Sequence, residues 1–212
     1  MSKHPFLREE SKKRLIAAVE SVENRSAAEV VVAVKPWSGR YWYVDQALAA
    51  LTSFAALAFM LFSSHVFSLP AVLVDTVLVY AFVLGLVWLV RPLRVWLCPA
   101  KILDDETRKA AQAWFYAKRL SRTRDRSGIL VYVSLLEKRA WALPDLGVTK
   151  GLGEEKWQEL ARSLQDAVRS KGVGPEAVEA LARAIEAMGP DLEEALPRRE
   201  DDVNELADFA EG

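Results

Sequence analysis

A single cysteine, Cys98, excludes an internal disulfide in this 212-residue chain, and with it a small secreted scaffold held by cross-links. The two histidines, His4 and His65, are too few and too far apart for an H-E-x-x-H metal site. Net charge is nearly absent: 28 Lys plus Arg stand against 29 Asp plus Glu. No global field gathers polyanions, and no recognition motif accompanies the local charge, so nucleic acid is not expected as a partner. Gly147, Gly151 and Gly153 match neither G-x-G-x-x-G nor a P-loop, and no G-x-S-x-G elbow supplies a serine nucleophile. Repeats and low-complexity tracts are lacking as well.

Charge is missing from one long stretch in particular. From Gln46 to Val90 the single formally charged residue is Asp75. Ala47 to Phe62 is apolar except at Thr52 and Ser53, turn signals fill Ser63 to Pro70, and Ala71 to Val90 forms a second apolar run. Roughly 20 apolar residues cross the ~30 Å hydrocarbon core of a bilayer. The expectation is a transmembrane helical hairpin over 41–99, with spans at about 46–65 and 70–90. Burying two such helices in a soluble core would need a larger protein than this one. The first 40 residues are charged and amphipathic, which does not fit a signal peptide.

Lys35 and Arg40 precede the first span, Arg91, Arg94 and Lys101 follow the second, and the loop between them has no Lys or Arg. By the positive-inside rule the chain is expected in the cell (inner) membrane as a two-pass protein with both termini cytoplasmic. Trp37, Tyr41, Trp42 and Tyr43 before the first span, and Trp88 and Trp96 at the end of the second, are expected at the membrane interface beside Arg91 and Arg94. Cys98 reads as a thiol at the same boundary. Asp75, about one turn inside the second span, reads with His65 as a solvated pair near the outer interface.

The flanking pieces pattern as an α/β domain. Leu15, Ile16, Val19 and Val22 mark an amphipathic helix over Leu7 to Glu23. Glu29 to Lys35 and Ile129 to Leu136 are strands apolar on both faces, as in a sheet covered on both sides. A helix starting near Asp104-Asp105-Glu106 would face inward through Ala110, Ala113, Trp114, Ala117 and Leu120. A turn at Glu137-Lys138 leads to a short strand, Arg139 to Leu143, and Pro144 to Glu154 reads as a loop. Two more helices follow, one carrying Trp157 as a core anchor and one with Val178, Leu181, Ile185 and Met188 inward. Residues 1–40 plus 100–212 are therefore expected to form one discontinuous domain, an α/β/α sandwich interrupted by the inserted hairpin. The segment 91–127 has ten Lys/Arg against four Asp/Glu, a net of +6 suited to anionic lipid heads. The tail 191–212 has nine acidic residues against two arginines, a net of −7.

Ala27-Ala28-Glu29-Val30-Val31-Val32 after an amphipathic helix, and Arg122-Thr123 leading to Ser127-Gly128 and the strand through Glu137-Lys138-Arg139, resemble the TPM domain family. The Trp157 helix and the terminal Asn204-Glu205-Leu206 are similar to its bacterial membrane branch, in which a helical hairpin interrupts the domain. The resemblance covers nearly the whole chain. It implies an α/β/α sandwich with a small mixed sheet, with Glu29, Arg122, Gly128, Trp157, Asn204 and Glu205 at the family's motif positions. Some members are credited with acid phosphatase activity and calcium binding, carried by a glycine-rich stretch with acidic residues after the third strand. Here that stretch reads Ala142-Leu143-Pro144-Asp145-Leu146-Gly147, which leaves Asp145 as the implied metal ligand and calcium as the one ion to consider.

Three functions follow. The first is a membrane-anchored binding or assembly module without catalysis or cofactor, whose partners are the bilayer and another membrane protein. The second is a metal-dependent phosphatase; Asp125, Asp145, Glu154 and Glu155 are the loop carboxylates for it, but no nucleophile and base converge in the sequence. The third, a small transporter or channel subunit, lacks a polar stripe in the spans. The first is favoured.

Overall fold

The computed structural model describes residues 4–90, 95–123, 125–198 and 208–211. The elements are α1 (Glu9–Glu23), β1 (Glu29–Lys35), α2 (Trp42–Phe62), α3 (Leu69–Leu89), α4 (Ala100–Ala117), β2 (Gly128–Ser134), β3 (Arg139–Pro144), α5 (Leu146–Leu152), α6 (Glu154–Lys171), α7 (Pro175–Ala187), α8 (Gly189–Ala195) and β4 (Phe209–Glu211). The chain divides into two units, one made of Met1–Ser38 with Asp104–Gly212, the other of Gly39–Leu103.

In the first unit a four-stranded mixed sheet runs in the order β3-β2-β1-β4. β1 pairs in parallel with β2 from Glu29 opposite Gly128 to Lys35 opposite Ser134, and β3 returns antiparallel to β2. Because neighbouring residues of a strand point to opposite faces, the apolar run of β1 splits between two cores. Val30, Val32 and Val34, with Ile129, Val131 and Val133 of β2, face a layer built from α1, α6 and α7 through Leu15, Val19, Trp157, Leu164, Leu181 and Ile185. Val31, Ala33, Leu130 and Tyr132 face the other way, against Ala111, Phe115 and Leu120. The architecture is an α/β/α sandwich. Arg14 of α1 fastens α7 from outside the core, its Nε 2.8 Å from Glu179 Oε2 and its Nη1 2.6 Å from Glu186 Oε1.

Four local expectations are corrected. The loop Pro144 to Glu154 contains α5, which Asp145 caps by accepting the Leu146 N–H at 2.7 Å, so a cap replaces the propensity that its two glycines remove. Helix α4 begins before the acidic triplet, and its buried line runs Leu103, Thr107, Ala111 and Phe115 at four-residue spacing; Ala110, Trp114 and Leu120 face the core as expected, while Ala113 and Ala117 are exposed. The segment 191–212 is more than a tail, since α8 begins it and β4 closes it as an edge strand parallel to β1. At its other end, α1 starts at Glu9 because Pro5–Leu7 forms a separate 3-10 turn.

In the second unit, α2 and α3 have 21 residues each, about 31 Å at 1.5 Å per residue. Both are long and apolar enough to cross a membrane. The first ends at Phe62, earlier than the expected boundary near residue 65, with Ser63 already extended at the C-cap. The second opens with Ser68 accepting from the Ala71 N–H and with proline in its first turn.

Candidate functional site

The hairpin presents an unusual surface. Its inner seam is narrow: Asp45, Ala49 and Ser53 of α2 and Val87 of α3 are buried. Polar side chains close that seam rather than open it. Ser53 Oγ donates to the Thr76 carbonyl at 2.8 Å, Tyr80 donates its hydroxyl to Gln46 Oε1, and Thr76 Oγ1 donates to its own helix at Val72 O. Half-buried residues such as Leu57 and Leu84 flank the seam, and the large apolar side chains beyond them face outward. Leu51, Phe54, Phe59, Leu73 and Phe82 are each 68–70% exposed. A water-soluble protein rarely leaves so much contiguous apolar surface uncovered. Asp75 is exposed on α3 and lies six residues beyond Leu69, in the second turn of the helix.

Among the aromatics expected at the interface, Trp37, Trp42, Trp88 and Trp96 are exposed, at 52%, 66%, 73% and 80%. Tyr43 is also exposed. Tyr41 is not: it is buried in a small cluster with Cys98 and Leu103, which also removes Cys98 from the boundary surface. The reason is local, since the residues just before α2 and just before α4 pack together. Arg91 and Arg94 lie outside the described residues, as do Asn204 and Glu205.

In the sandwich the motif positions serve different parts. Gly128 starts β2 where the Leu120 carbonyl would lie 2.6 Å from a Cβ, so only glycine fits that approach. Trp157 is in the core, and Arg122 is exposed on a 3-10 turn, Leu120–Arg122. Glu29 is buried at the start of β1 and lines a cleft of about 280 Å³ with Glu20, Glu23, Asn24, Ser26 and Arg198. Glu23 accepts the Val30 N–H there at 3.0 Å, and burial, with Glu29, Asp208 and Glu20 nearby, pushes its carboxyl up to about 8. No sequence signal marks Glu23, because its burial depends on how the end of α1 folds against β1 and on distant residues such as Asp208 and Arg198.

Asp145 is held by protein groups. Its Oδ1 accepts from Leu146 N and, at 3.0 Å, from Arg126 Nη2, while Oδ2 faces Arg126 Nε at 3.4 Å. Arg126 itself takes a left-handed backbone, φ 52°, to make this fork. Glu154 and Glu155 sit in the first turn of α6, where acidic side chains complement the helix dipole. Among the described residues no three Asp, Glu, His or Cys side chains converge to hold a metal ion.

A second polar cluster, hidden in the sequence, lies where β1 ends. Ser38 donates its N–H to Glu137 Oε1 at 2.9 Å, and its Oγ lies 2.6 Å from Ser134 Oγ and 3.2 Å from the Tyr132 hydroxyl. Ser134 in turn donates to Glu137 Oε2. Burial pushes the Tyr132 phenol up, against the Ser38 hydrogen bond. Glu137 and Ser134 are fully buried, so this is an anchoring network without an opening for substrate.

No family model matches the chain, and no curated protein does. The NMR structure of BA42 protein from the psychrophilic bacterium Bizionia argentinensis is similar over 98% of this chain and 96% of its own, with a TM-score of 0.59 and 15% identity. At that identity the likeness shows the fold alone.

Proposed function

We propose that this chain is a membrane-anchored binding or assembly module of TPM-like type. The hairpin holds it in the cell membrane, and the α/β/α unit works on the cytoplasmic side without chemistry of its own. The observation that carries the reading is the outward apolar face of α2 and α3, which separates a bilayer-facing pair from the core helices of a soluble protein. Arg40 on one flank and Lys101 on the other, with a loop that has neither Lys nor Arg, support the orientation. The engagement of Asp145 by Arg126 supports a role other than metal-dependent catalysis, because the guanidinium fork fills the sites a cation would need. The partner would be another protein of the same membrane.

Cysteine labelling in a Cys98→Ser background tests this. Ser64→Cys, in the exposed loop, should react with an impermeant maleimide in intact cells, and Ser163→Cys, on the exposed face of α6, only after permeabilisation. The reverse pattern overturns the orientation. Release of the chain from membranes by alkaline carbonate overturns the anchor.

A further inference from the structure

We infer that the outer face of α4 and the 3-10 turn after it form a second, electrostatic membrane contact that lies flat on anionic phospholipid headgroups. This deepens the anchored-module reading and rests on it.

Helix α4 is apolar on one side and charged over much of the rest. Ala111 and Phe115, with Leu120 beyond the helix, are buried against the sheet. Exposed elsewhere on α4 are Lys101, Arg108, Lys109 and Tyr116, and beyond its end Lys118, Arg119 and Arg122. In the first half of the helix the charges are neutralised locally: Arg108 meets Asp105 at 3.2 Å, Lys109 meets Glu106 at 2.8 Å, and Asp104 is taken by Arg139 at 2.8 Å. The second half is different. From Ala113 to Thr123 there is no Asp or Glu, and Lys118, Arg119 and Arg122 make no ion pair among the described residues. Along the chain the flanking acidic groups are Glu106, which is paired with Lys109, and Asp125, which is exposed.

The backbone also favours display of these cations. Arg119 sits at φ 59°, ψ 33°, the left-handed conformation with which helices often end and which usually falls to glycine or asparagine. An arginine there is disfavoured by its Cβ, and among the described residues no acidic group pairs with it in return. Two aromatic rings accompany the charges. Tyr116 is 73% exposed, and the Lys118 ammonium lies 5.9 Å from the Trp114 ring centroid. Exposed cations clustered at a helix end beside an exposed tyrosine match an interfacial lipid contact.

The choice of lipid over an acidic protein comes from chain connectivity. Ten residues separate the end of α3 at Leu89 from the start of α4 at Ala100. That short tether keeps headgroups at high effective concentration around α4. Unpaired cations beside a cytoplasmic leaflet are drawn to its negative surface potential within about a Debye length.

The test uses the full chain in vesicles, with Cys98→Ser and one fluorophore on Tyr116→Cys, or alternatively on Val66→Cys in the loop. The vesicles contain phosphatidylcholine with or without phosphatidylglycerol, and a trace of lipid carrying a nitroxide on the headgroup quenches nearby probes. The probe at Tyr116→Cys should be quenched strongly with phosphatidylglycerol, weakly without it, and weakly again in high salt. Combining Lys118→Gln, Arg119→Gln and Arg122→Gln should weaken docking on the order of a hundredfold, since each cation near an anionic surface contributes about a factor of five. Quenching at Tyr116→Cys that ignores lipid charge, while Val66→Cys still reports an inserted hairpin, overturns this inference and spares the anchor. Loss of quenching at both positions overturns both. An acidic protein that binds the patch in vesicles of phosphatidylcholine alone, with no dependence on phosphatidylglycerol, also overturns it.

Discussion

Replacing Trp157 by alanine probes the core of the sandwich without touching the hairpin. Trp157 enters α6 one turn after the helix start and is 5% exposed, packed in the core that α1, α6 and α7 form on the sheet. A buried indole removes about 200 Å² of apolar surface from water, or roughly 5 kcal/mol at 25 cal/mol per Å², an upper bound against an extended chain. Cavity formation partly relaxed by neighbours gives a measured range of about 3–5 kcal/mol for such truncations. That is a large share of the ~5–15 kcal/mol that stabilises a domain, so the variant should populate unfolded sandwich at moderate temperature. Helix content is a poor readout, because hairpin helices persist in detergent while the sandwich melts. Hydrogen exchange of the β1 and β2 amides reads the sandwich directly, since the slowest amides open only with the whole unit. Their protection should fall by about 3 kcal/mol or more in Trp157→Ala and by about half as much in Trp157→Phe. Loss of less than about 1 kcal/mol would refute the packing argument and point to a ring that the domain can release to a ligand.

Three further outcomes are expected. Gly147→Ala would place a Cβ 2.2 Å from the Asp125 carbonyl and 2.7 Å from that of Arg126, so the α5 start must shift; a cost of about 1–3 kcal/mol is expected from overpacking, and unchanged thermal stability would count against that geometry. Because the folded pKa of Glu23, about 8, lies above its ordinary 4.5, its contribution to stability is fully present below 4.5 and is lost as pH rises through 8. Glu23→Gln keeps the acceptor for Val30 and should flatten the melting temperature across that window, with a higher value than the parent on the alkaline side; identical slopes would refute the assignment. Purified protein should not hydrolyse a generic phosphomonoester with or without calcium or magnesium, and metal-dependent turnover abolished by Asp145→Asn would replace the binding-module reading with an enzyme.

How much the sequence discloses depends on whether the signal is local. The strands β1 and β2 are legible because their apolar residues occupy both faces, and the hairpin because charge is absent from Gln46 to Val90 except at Asp75. The helix α5 is hidden by Gly147 and Gly151, and its existence depends on a cap from Asp145 and on the Gly147 N–H reaching the Arg126 carbonyl. The inward line of α4 is legible at Ala110, Trp114 and Leu120 but not at Ala113 and Ala117, because alanines on both sides of the helix blur the apolar stripe. Tyr41 looks like an interfacial ring until Cys98 and Leu103 are brought against it. β4 is three residues in an acidic context, too short for any periodicity. The network around Ser38 joins residues about a hundred positions apart, and nothing in Ser38, Ser134 or Glu137 singles them out beforehand.

That network has a mechanical meaning. Ser38 is the last residue of the sandwich before the chain departs, and Asp104 is the first on its return. Both are fastened to the same six-residue stretch, Ser38 by Ser134 and Glu137, Asp104 by Arg139. The two ends of the insertion are thus clasped at one corner of the sheet, and a loop whose ends are already joined costs little more entropy however long it grows. Evolution or an engineer can lengthen, shorten or exchange the hairpin without disturbing strand register. A pull exerted through it reaches the sheet at that corner, along the end of β1 and through the ties to the β2–β3 turn.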